Sequence, residues 1–181
     1  GRCYLGFHAY SREIINAPVL LANGGMAYDY ESKKIVVNNG IGDEGVAPMR
    51  AVGEAFPDVS VEFYPFEKSY ALHLTEKTEH HFTSQFIPFE TVEDPAQAPR
   101  PWAKVMIGGQ PERIAQVQAF LRQYPEISFL PTTGGFLEVL RKGVDKGTAL
   151  LQLADALEIR HEDVYAVGDG YNDVEMLQAA A

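Results

Sequence analysis

Two groups of residues near the C-terminus have the types and spacing that phosphate chemistry needs. Residues 167–173, Val-Gly-Asp-Gly-Tyr-Asn-Asp, hold the carboxylates Asp169 and Asp173 and the amide Asn172. Carboxylate oxygens are preferred ligands of Mg²⁺, and an amide can donate to a phosphate oxygen. The run predicts a metal and phosphate site. A plain turn with one capping side chain is the alternative, and it requires only one of these three residues.

The second group is Lys146 with the acidic residue before it. Asp145 is placed to cap a helix predicted over residues 147–157, which puts Lys146 in the first helical turn, where a cation opposes the helix dipole. Departures from a local rule tend to mark functional sites, and a lysine beside helix N–H groups can bind a phosphoryl oxygen. A solvated surface lysine is the alternative.

Other polar residues give weaker signals. Asn23-Gly24 lies between two apolar segments, a pattern typical of a tight hairpin turn. The adjacent histidines in residues 80–81 suggest a metal site only superficially, since no third ligand lies at a useful spacing. We interpret all five histidines as surface or structural residues: His8, His73, His80, His81 and His161.

The acidic run needs elements that position it. Residues 164–167 are apolar and predict a strand, and Val174, Met176 and Leu177 predict a helix after the loop. In open parallel sheets such a strand-to-helix loop lies at the carboxyl edge, where ligands bind. Strands predicted over 17–22, 26–30 and 35–37 form a meander whose first turn holds Asn23-Gly24.

The middle of the chain has a different pattern. Predicted helices and strands alternate there in mixed order, whereas the pattern from Lys142 onwards is helix, strand, loop, helix, which is typical of an α/β domain. We therefore predict an α/β core formed by residues 1–44 and 141–181, with an inserted α+β domain at 45–140. In the insert, helices are predicted near 44–56 and 111–124, strands at 59–64, 70–74, 103–107, 127–130 and 136–140, and a loop with one short helix at 75–101.

Composition limits the partners. The formal net charge of −10, without clustered Lys and Arg, argues against nucleic acid. Cys3 is the only cysteine, which favours a reducing, cytoplasmic setting, and no apolar run approaches the roughly 18 residues of a membrane span. The sequence predicts a globular chain that binds neither nucleic acid nor membrane, and it leaves the oligomeric state open.

Residues 143–147, Gly-Val-Asp-Lys-Gly, followed by residues 167–177, Val-Gly-Asp-Gly-Tyr-Asn-Asp-Val-Glu-Met-Leu, resemble the third and fourth motifs of the haloacid dehalogenase (HAD) superfamily, and within it the Cof-type, subclass IIB sugar phosphatases. Asn23-Gly24 resembles that family's early Asn-Gly turn, and Gly1-Arg2 resembles the end of its second motif. The resemblance implies a Rossmann-like core with a parallel sheet and an inserted α+β (C2B-type) cap domain.

The resemblance also implies an activity, a Mg²⁺-dependent phosphatase of small phosphorylated metabolites that acts through an aspartyl phosphate. Lys146, Asp169 and Asp173 would be catalytic, and Asp169 and Asp173 would hold the metal. Lys146, Asn172, Asn23 and Gly24 would bind the substrate. The family's first motif, Asp-x-Asp, is absent, so we expect no catalysis by these residues alone. A phosphomutase of the same superfamily and a non-catalytic phosphate-ligand binding protein are the alternatives.

Overall fold

Two segments distant in sequence, Gly1–Asn39 and Gly143–Ala181, fold together into one unit, and Gly40–Lys142 forms another. The computed structural model describes residues 1–8, 15–132 and 135–181. No helix in these ranges is long and apolar enough to cross a membrane. The elements in chain order are α1 (Tyr4–His8), β1 (Val19–Leu21), β2 (Met26–Asp29), β3 (Lys34–Asn38), α2 (Val46–Ala55), β4 (Ser60–Tyr64), β5 (Ser69–Leu72), α3 (Glu76–Ser84), β6 (Phe89–Thr91), β7 (Lys104–Gly108), α4 (Pro111–Leu121), β8 (Ile127–Thr132), β9 (Phe136–Arg141), α5 (Lys146–Ala156) and α6 (Val174–Ala179).

The first unit is built on the meander that the sequence predicts. Strand β2 pairs antiparallel with β1 on one side and with β3 on the other. Ala27 of β2, Val37 of β3 and Leu153 of α5 form a small buried cluster, which places α5 against the sheet. The apolar positions of the helix and strands thus face one another, and burying them holds the start of α5 beside the β1–β2 turn.

The predicted strand over residues 164–167 is wrong. None of the strands in the described ranges pairs with this segment, and Tyr165 and Val167 are 81% and 94% exposed. A strand exists only with a hydrogen-bonded neighbour, and an apolar, β-branched composition does not supply one. The parallel pairing that the structure does show joins β5 to β6, in the other unit.

The second unit contains a six-stranded mixed sheet in the order β6-β5-β4-β7-β9-β8. Its strands alternate, as half-buried strands do, so that one face carries apolar side chains against α2 and α4. The opposite face of the central strands carries polar side chains that are also buried, an arrangement that requires hydrogen-bonded partners. The apolar face includes Val61, Phe63, Val105, Ile107, Leu137 and Val139, and the polar face includes Ser60, Glu62, Tyr64, Lys104 and Glu138.

The stretch predicted as loop with one short helix contains more structure. Helix α3 begins after Thr75, whose side chain accepts a hydrogen bond from the Thr78 N–H, and it buries Phe82. Strand β6, which the sequence did not predict, pairs in parallel with β5. It is three residues long and mostly exposed, so no alternation of apolar and polar residues marks it in the sequence.

Candidate active site

The turn between β1 and β2 places Asn23-Gly24 against the start of α5. Asn23 and Gly24 have φ angles of 51° and 98°, in the left-handed region. A Cβ atom on Gly24 would lie 2.2 Å from the carbonyl oxygen of Asp145, so only glycine allows this approach. The Asn39 amide donates to the Gly24 carbonyl over 3.1 Å and fixes the turn from the other side.

The start of α5 is held by a reciprocal cap. The Asp145 carboxylate accepts from the Thr148 N–H at 2.7 Å, and the Thr148 hydroxyl accepts from the Asp145 N–H at 3.1 Å. The helix begins at Lys146, in agreement with the capping role predicted for Asp145. A Cβ on Gly147 would lie 2.3 Å from the carbonyl oxygen of Glu175, so α6 packs directly on this first turn.

Lys146 and Asp173 form an ion pair that connects the two predicted groups. Lys146 Nζ donates to Asp173 Oδ1, and the side chains are 21% and 9% exposed. Asp173 Oδ2 accepts from the N–H groups of Gly170 at 3.0 Å and Asp169 at 3.2 Å. Lys146, followed by these N–H groups, lowers the pKa of Asp173 below its usual value. Asp173 is therefore ionised and holds Lys146 in one position.

The loop before α6 is folded tightly enough to reach the β1–β2 turn. A Cβ on Gly168 would lie 2.4 Å from the Asp173 Cβ, so the loop requires glycine there. The Asn172 amide donates to Asn23 Oδ1 over 3.0 Å. Three distant parts of the sequence are thus brought together within one unit, through Asn23, Lys146 and the adjacent Asn172 and Asp173.

A cavity of about 290 Å³ opens between these elements. Its polar lining combines an ammonium paired with a carboxylate, a guanidinium-bearing residue, an amide-bearing residue and the backbone of a glycine turn, and the donors among these groups suit an anion. Apolar residues from α1, β1 and α6 complete the wall. The polar lining includes Arg2, Asn23, Gly24, Lys146 and Asp173, and the apolar lining consists of Phe7, Leu20, Leu21 and Met176.

Asp169 differs from its neighbours in the loop because it is exposed and does not line the cavity. Its carboxylate makes no hydrogen bond or ion pair within the part of the chain that the structure describes. No group of three or more His, Cys, Asp and Glu side chains in those ranges is arranged to hold a metal. Asp169 is therefore an available oxygen donor, whereas both oxygens of Asp173 are occupied.

Two residues that support the site were not predicted as part of it. Asn39 lies at the end of β3 and is 5% exposed; besides holding the Gly24 carbonyl, it donates to Gln152 of α5 at 2.6 Å. An Asn directly after a strand carries no signal of this bridge. Arg2 lines the cavity, and the resemblance of Gly1-Arg2 to the end of a family motif is the signal that could have indicated it.

The sequence matches known proteins over its whole length. The model of the haloacid dehalogenase-like hydrolase family matches residues 1–181. A protein of Haemophilus influenzae, provisionally named a phosphatase, is 26% identical over 182 residues, which covers 98% of this chain and 68% of that protein. A phosphoglycolate phosphatase of Methanoculleus marisnigri is 46% identical over 48 residues, 26% of this chain and 20% of that one.

Solved structures share the fold. A haloacid dehalogenase-like hydrolase from Bacteroides thetaiotaomicron superimposes with a TM-score of 0.85 at 24% identity, covering 99% of this chain and 70% of that one. A HAD subclass IIB sugar phosphatase superimposes with a TM-score of 0.73 at 20% identity, covering 90% of this chain and 61% of that one. The likeness confirms the predicted fold class, an α/β, Rossmann-like HAD architecture with an additional α+β portion.

Proposed function

Because this chain belongs to the haloacid dehalogenase-like hydrolase family, we propose that it acts as a phosphatase on small phosphorylated metabolites, sugar phosphates or similar compounds. The prediction of a hydrolytic enzyme is confirmed by the family match. The observation that carries the proposal is the Lys146 ammonium, held by Asp173 at the wall of a cavity that also includes Asn23 and Gly24.

Lys146 would compensate the charge of the phosphoryl group. A phosphate monoester carries up to two negative charges, and phosphoryl transfer depends largely on placing positive charge beside its oxygens. Since Asp173 fixes the ammonium before substrate arrives, little reorganisation is needed at the time of reaction. Asp173 is in this proposal a positioning residue, since both of its oxygens are already occupied.

Asn23, Gly24 and Asn172 would bind the phosphate or the groups around it. The Asn172–Asn23 hydrogen bond orients both amides, and the left-handed turn lies at the cavity wall. Backbone N–H groups in such turns form concave anion sites. These short polar contacts, together with the Lys146 ammonium, give the cavity its proposed selectivity for phosphate over neutral ligands.

Mg²⁺ is the proposed cofactor, and Asp169 is the residue that would hold it. The fit rests on chemistry: Mg²⁺ commonly binds through one or two carboxylates together with phosphate oxygens and water, and the Asp169 carboxylate is exposed and uncommitted in the described ranges. Once bound, the ion would act as a Lewis acid toward a phosphate oxygen. Asp173, predicted as a second ligand, is instead proposed to orient Lys146.

The proposed reaction passes through an aspartyl phosphate, as the family resemblance implies. The Asp-x-Asp motif that supplies the attacking carboxylate does not occur in residues 1–181. The roles proposed for these residues are therefore to bind phosphate, compensate its charge and hold the metal. Gly40–Lys142 is proposed as the inserted cap, in line with the predicted insert at 45–140.

Two measurements test the proposal, one of binding and one of turnover. Residues 1–181 should bind inorganic phosphate in isothermal titration calorimetry, and Lys146→Ala should abolish the signal. Turnover is measured in a polypeptide that contains these residues together with the attacking carboxylate, and its hydrolysis of p-nitrophenyl phosphate should require Mg²⁺. There, Lys146→Ala and Asp169→Ala should each lower kcat by a factor of about 100 or more.

Lys142→Ala is the matched control, because it removes an exposed lysine four residues from Lys146. Its phosphate binding and turnover should equal those of the unmodified protein. Full activity in both Lys146→Ala and Asp169→Ala would contradict the proposed roles. Release of free phosphate distinguishes hydrolysis from transfer of the phosphoryl group to a sugar, and phosphate binding without any turnover would favour a binding protein.

A further inference from the structure

The turn that carries Asn23 has a strained backbone. Ala22, Asn23 and Gly24 have φ angles of 50°, 51° and 98°, all in the left-handed region. Residues other than glycine, alanine in particular, adopt this region at a cost in free energy, and they stay in it only when their surroundings fix them. The neighbours of the turn must therefore supply contacts that hold it.

Asn39, which directly follows β3, supplies two of these contacts. Its backbone N–H donates to the Gly25 carbonyl at 3.0 Å, and its side-chain amide donates to the Gly24 carbonyl at 3.1 Å. Asn39 is 5% exposed, although asparagine is mostly a surface residue. A buried residue whose polar groups are bonded to a turn restrains that turn.

The same side-chain amide also reaches α5. Asn39 Nδ2 donates to Gln152 Oε1 at 2.6 Å. An amide nitrogen has two N–H groups, and the Gly24 carbonyl can only accept, so the orientation of the Asn39 amide is fixed. Gln152 must then present its oxygen to the second N–H. One side chain thus connects the turn to the helix that begins at Lys146.

This connection restrains the position of α5 along its own axis. The apolar packing of α5 on β2 and β3 is non-directional, so it does not by itself prevent the helix from sliding on the sheet. A hydrogen bond is directional. Gln152 follows Lys146 on the same helix, about 9 Å along its axis. The Asn39–Gln152 hydrogen bond therefore helps to fix Lys146 relative to Asn23.

We propose that Asn39 and Gln152 are positioning residues for phosphate binding, which hold Asn23 and Lys146 at the separation that the anion requires. This inference rests on the proposed function. Neither Asn39 nor Gln152 belongs to the lining of the cavity, so both act through other residues. A misplacement of about 1 Å in a binding group can cost a factor of about 100 in rate, so a loosened connection has a measurable effect.

Calorimetric titration of residues 1–181 with inorganic phosphate tests the proposal. Asn39→Ala removes both side-chain hydrogen bonds and should raise the phosphate dissociation constant at least about tenfold. Gln152→Met keeps the length of the side chain without its oxygen and should raise the constant about threefold. Because both native side chains are uncharged, weaker binding would report altered geometry and not a lost charge.

A conservative variant and a neighbouring residue provide the controls. Gln152→Glu keeps an acceptor for Asn39, and at about 0.15 M salt, which screens its charge, it should bind phosphate within about twofold of the unmodified protein. Asn38→Ala alters the exposed neighbour of Asn39 and should leave the affinity unchanged. Since Gln152 is exposed, Gln152→Met keeps the test valid if Asn39→Ala fails to fold.

Hydrogen exchange, followed by nuclear magnetic resonance, tests the same connection without a ligand. The Gly25 N–H donates to the Ala22 carbonyl at 3.0 Å and so reports whether the turn is held. It should exchange faster in Asn39→Ala and Gln152→Met than in the unmodified protein. Gln152→Glu should exchange at the unmodified rate.

The two measurements separate the failure of this inference from the failure of the proposed function. If the unmodified protein binds no phosphate, the proposed function is contradicted, while faster exchange in the variants would still support the positioning of Asn23 relative to Lys146. Unchanged exchange in Asn39→Ala and Gln152→Met would overturn the inference whether or not phosphate binds. Faster exchange with unchanged phosphate affinity would also overturn it, as would Gln152→Glu binding as weakly as Gln152→Met.

Discussion

The Lys146–Asp173 pair should stabilise the unit that holds the candidate active site, and a double-mutant cycle can measure by how much. Exposed ion pairs contribute about 0.2 to 1 kcal/mol, whereas removing one partner of a buried pair costs about 3 to 5 kcal/mol. With side chains 21% and 9% exposed, this pair lies between those limits. We expect a coupling free energy of about 1.5 kcal/mol between Lys146→Met and Asp173→Ala.

Asp173→Ala should cost more than the coupling alone, because it also removes the acceptor of two backbone N–H groups. We expect a loss of about 3 kcal/mol in the free energy of unfolding. Urea unfolding followed by far-ultraviolet circular dichroism is the assay, because the single tryptophan, Trp102, lies in the other unit and would not report on this one. Asp173→Asn should fall between Asp173→Ala and the unmodified protein.

The pH dependence of the same cycle provides an internal check. The pKa of Asp173 in the folded protein lies below the ordinary value of 3.8. Its contribution to stability is therefore complete above about pH 4 and is lost as the pH falls through the lowered pKa. A coupling below about 0.3 kcal/mol at pH 7, or one that does not decrease in acid, would refute the reasoning.

Two further predictions concern the backbone and the second unit. Gly24→Ala should lower the free energy of unfolding by more than about 2 kcal/mol, because the added Cβ would meet the Asp145 carbonyl. Gly143 also has a positive φ, but its Cβ would have no atom within 4 Å, so Gly143→Ala should lower the free energy of unfolding by only about 1 kcal/mol. Urea unfolding measures both changes, and equal losses would contradict the steric argument. Arg50 lowers the pKa of Asp94 to about 2, so the stability that the ionised Asp94 contributes should be lost as the pH falls from 3.8 to about 2. In Asp94→Asn the free energy of unfolding should lack this pH-dependent loss. Identical acid unfolding curves for the variant and the unmodified protein would contradict the prediction.

The sequence predicted the start of α5 and the β1–β3 meander better than it predicted the segment at 164–167. Asp145 capping and the position of Lys146 follow from local rules that act within a few residues, and the structure agrees with both. The contact between Asn23 and Asn172 spans 149 positions and rests on tertiary packing, which local patterns do not encode. The family resemblance indicated that these two residues belong together.

The errors have the same physical origin. The segment at 164–167 has a strand composition but pairs with none of the strands in the described residues, whereas β6 pairs with β5 but is too short, at three residues, to show an alternating pattern. Pairing is a property of two segments, so a pattern in one cannot decide it. His81, interpreted as a surface or structural residue, lies 2.8 Å from a buried carboxylate, and only the fold brings Glu62 beside it.

The glycines at 24, 147 and 168 make the candidate site intolerant of any substitution at these three positions. At each position a single added carbon would lie within 2.4 Å of a neighbouring atom, and that atom belongs to the backbone or to a Cβ rather than to a flexible side-chain end. Even alanine, which adds the smallest side chain, is too large at these three positions. In a library that samples every amino acid, these positions should divide sharply into tolerated glycine and rejected alternatives, while the cavity-lining Met176 should accept graded changes in size.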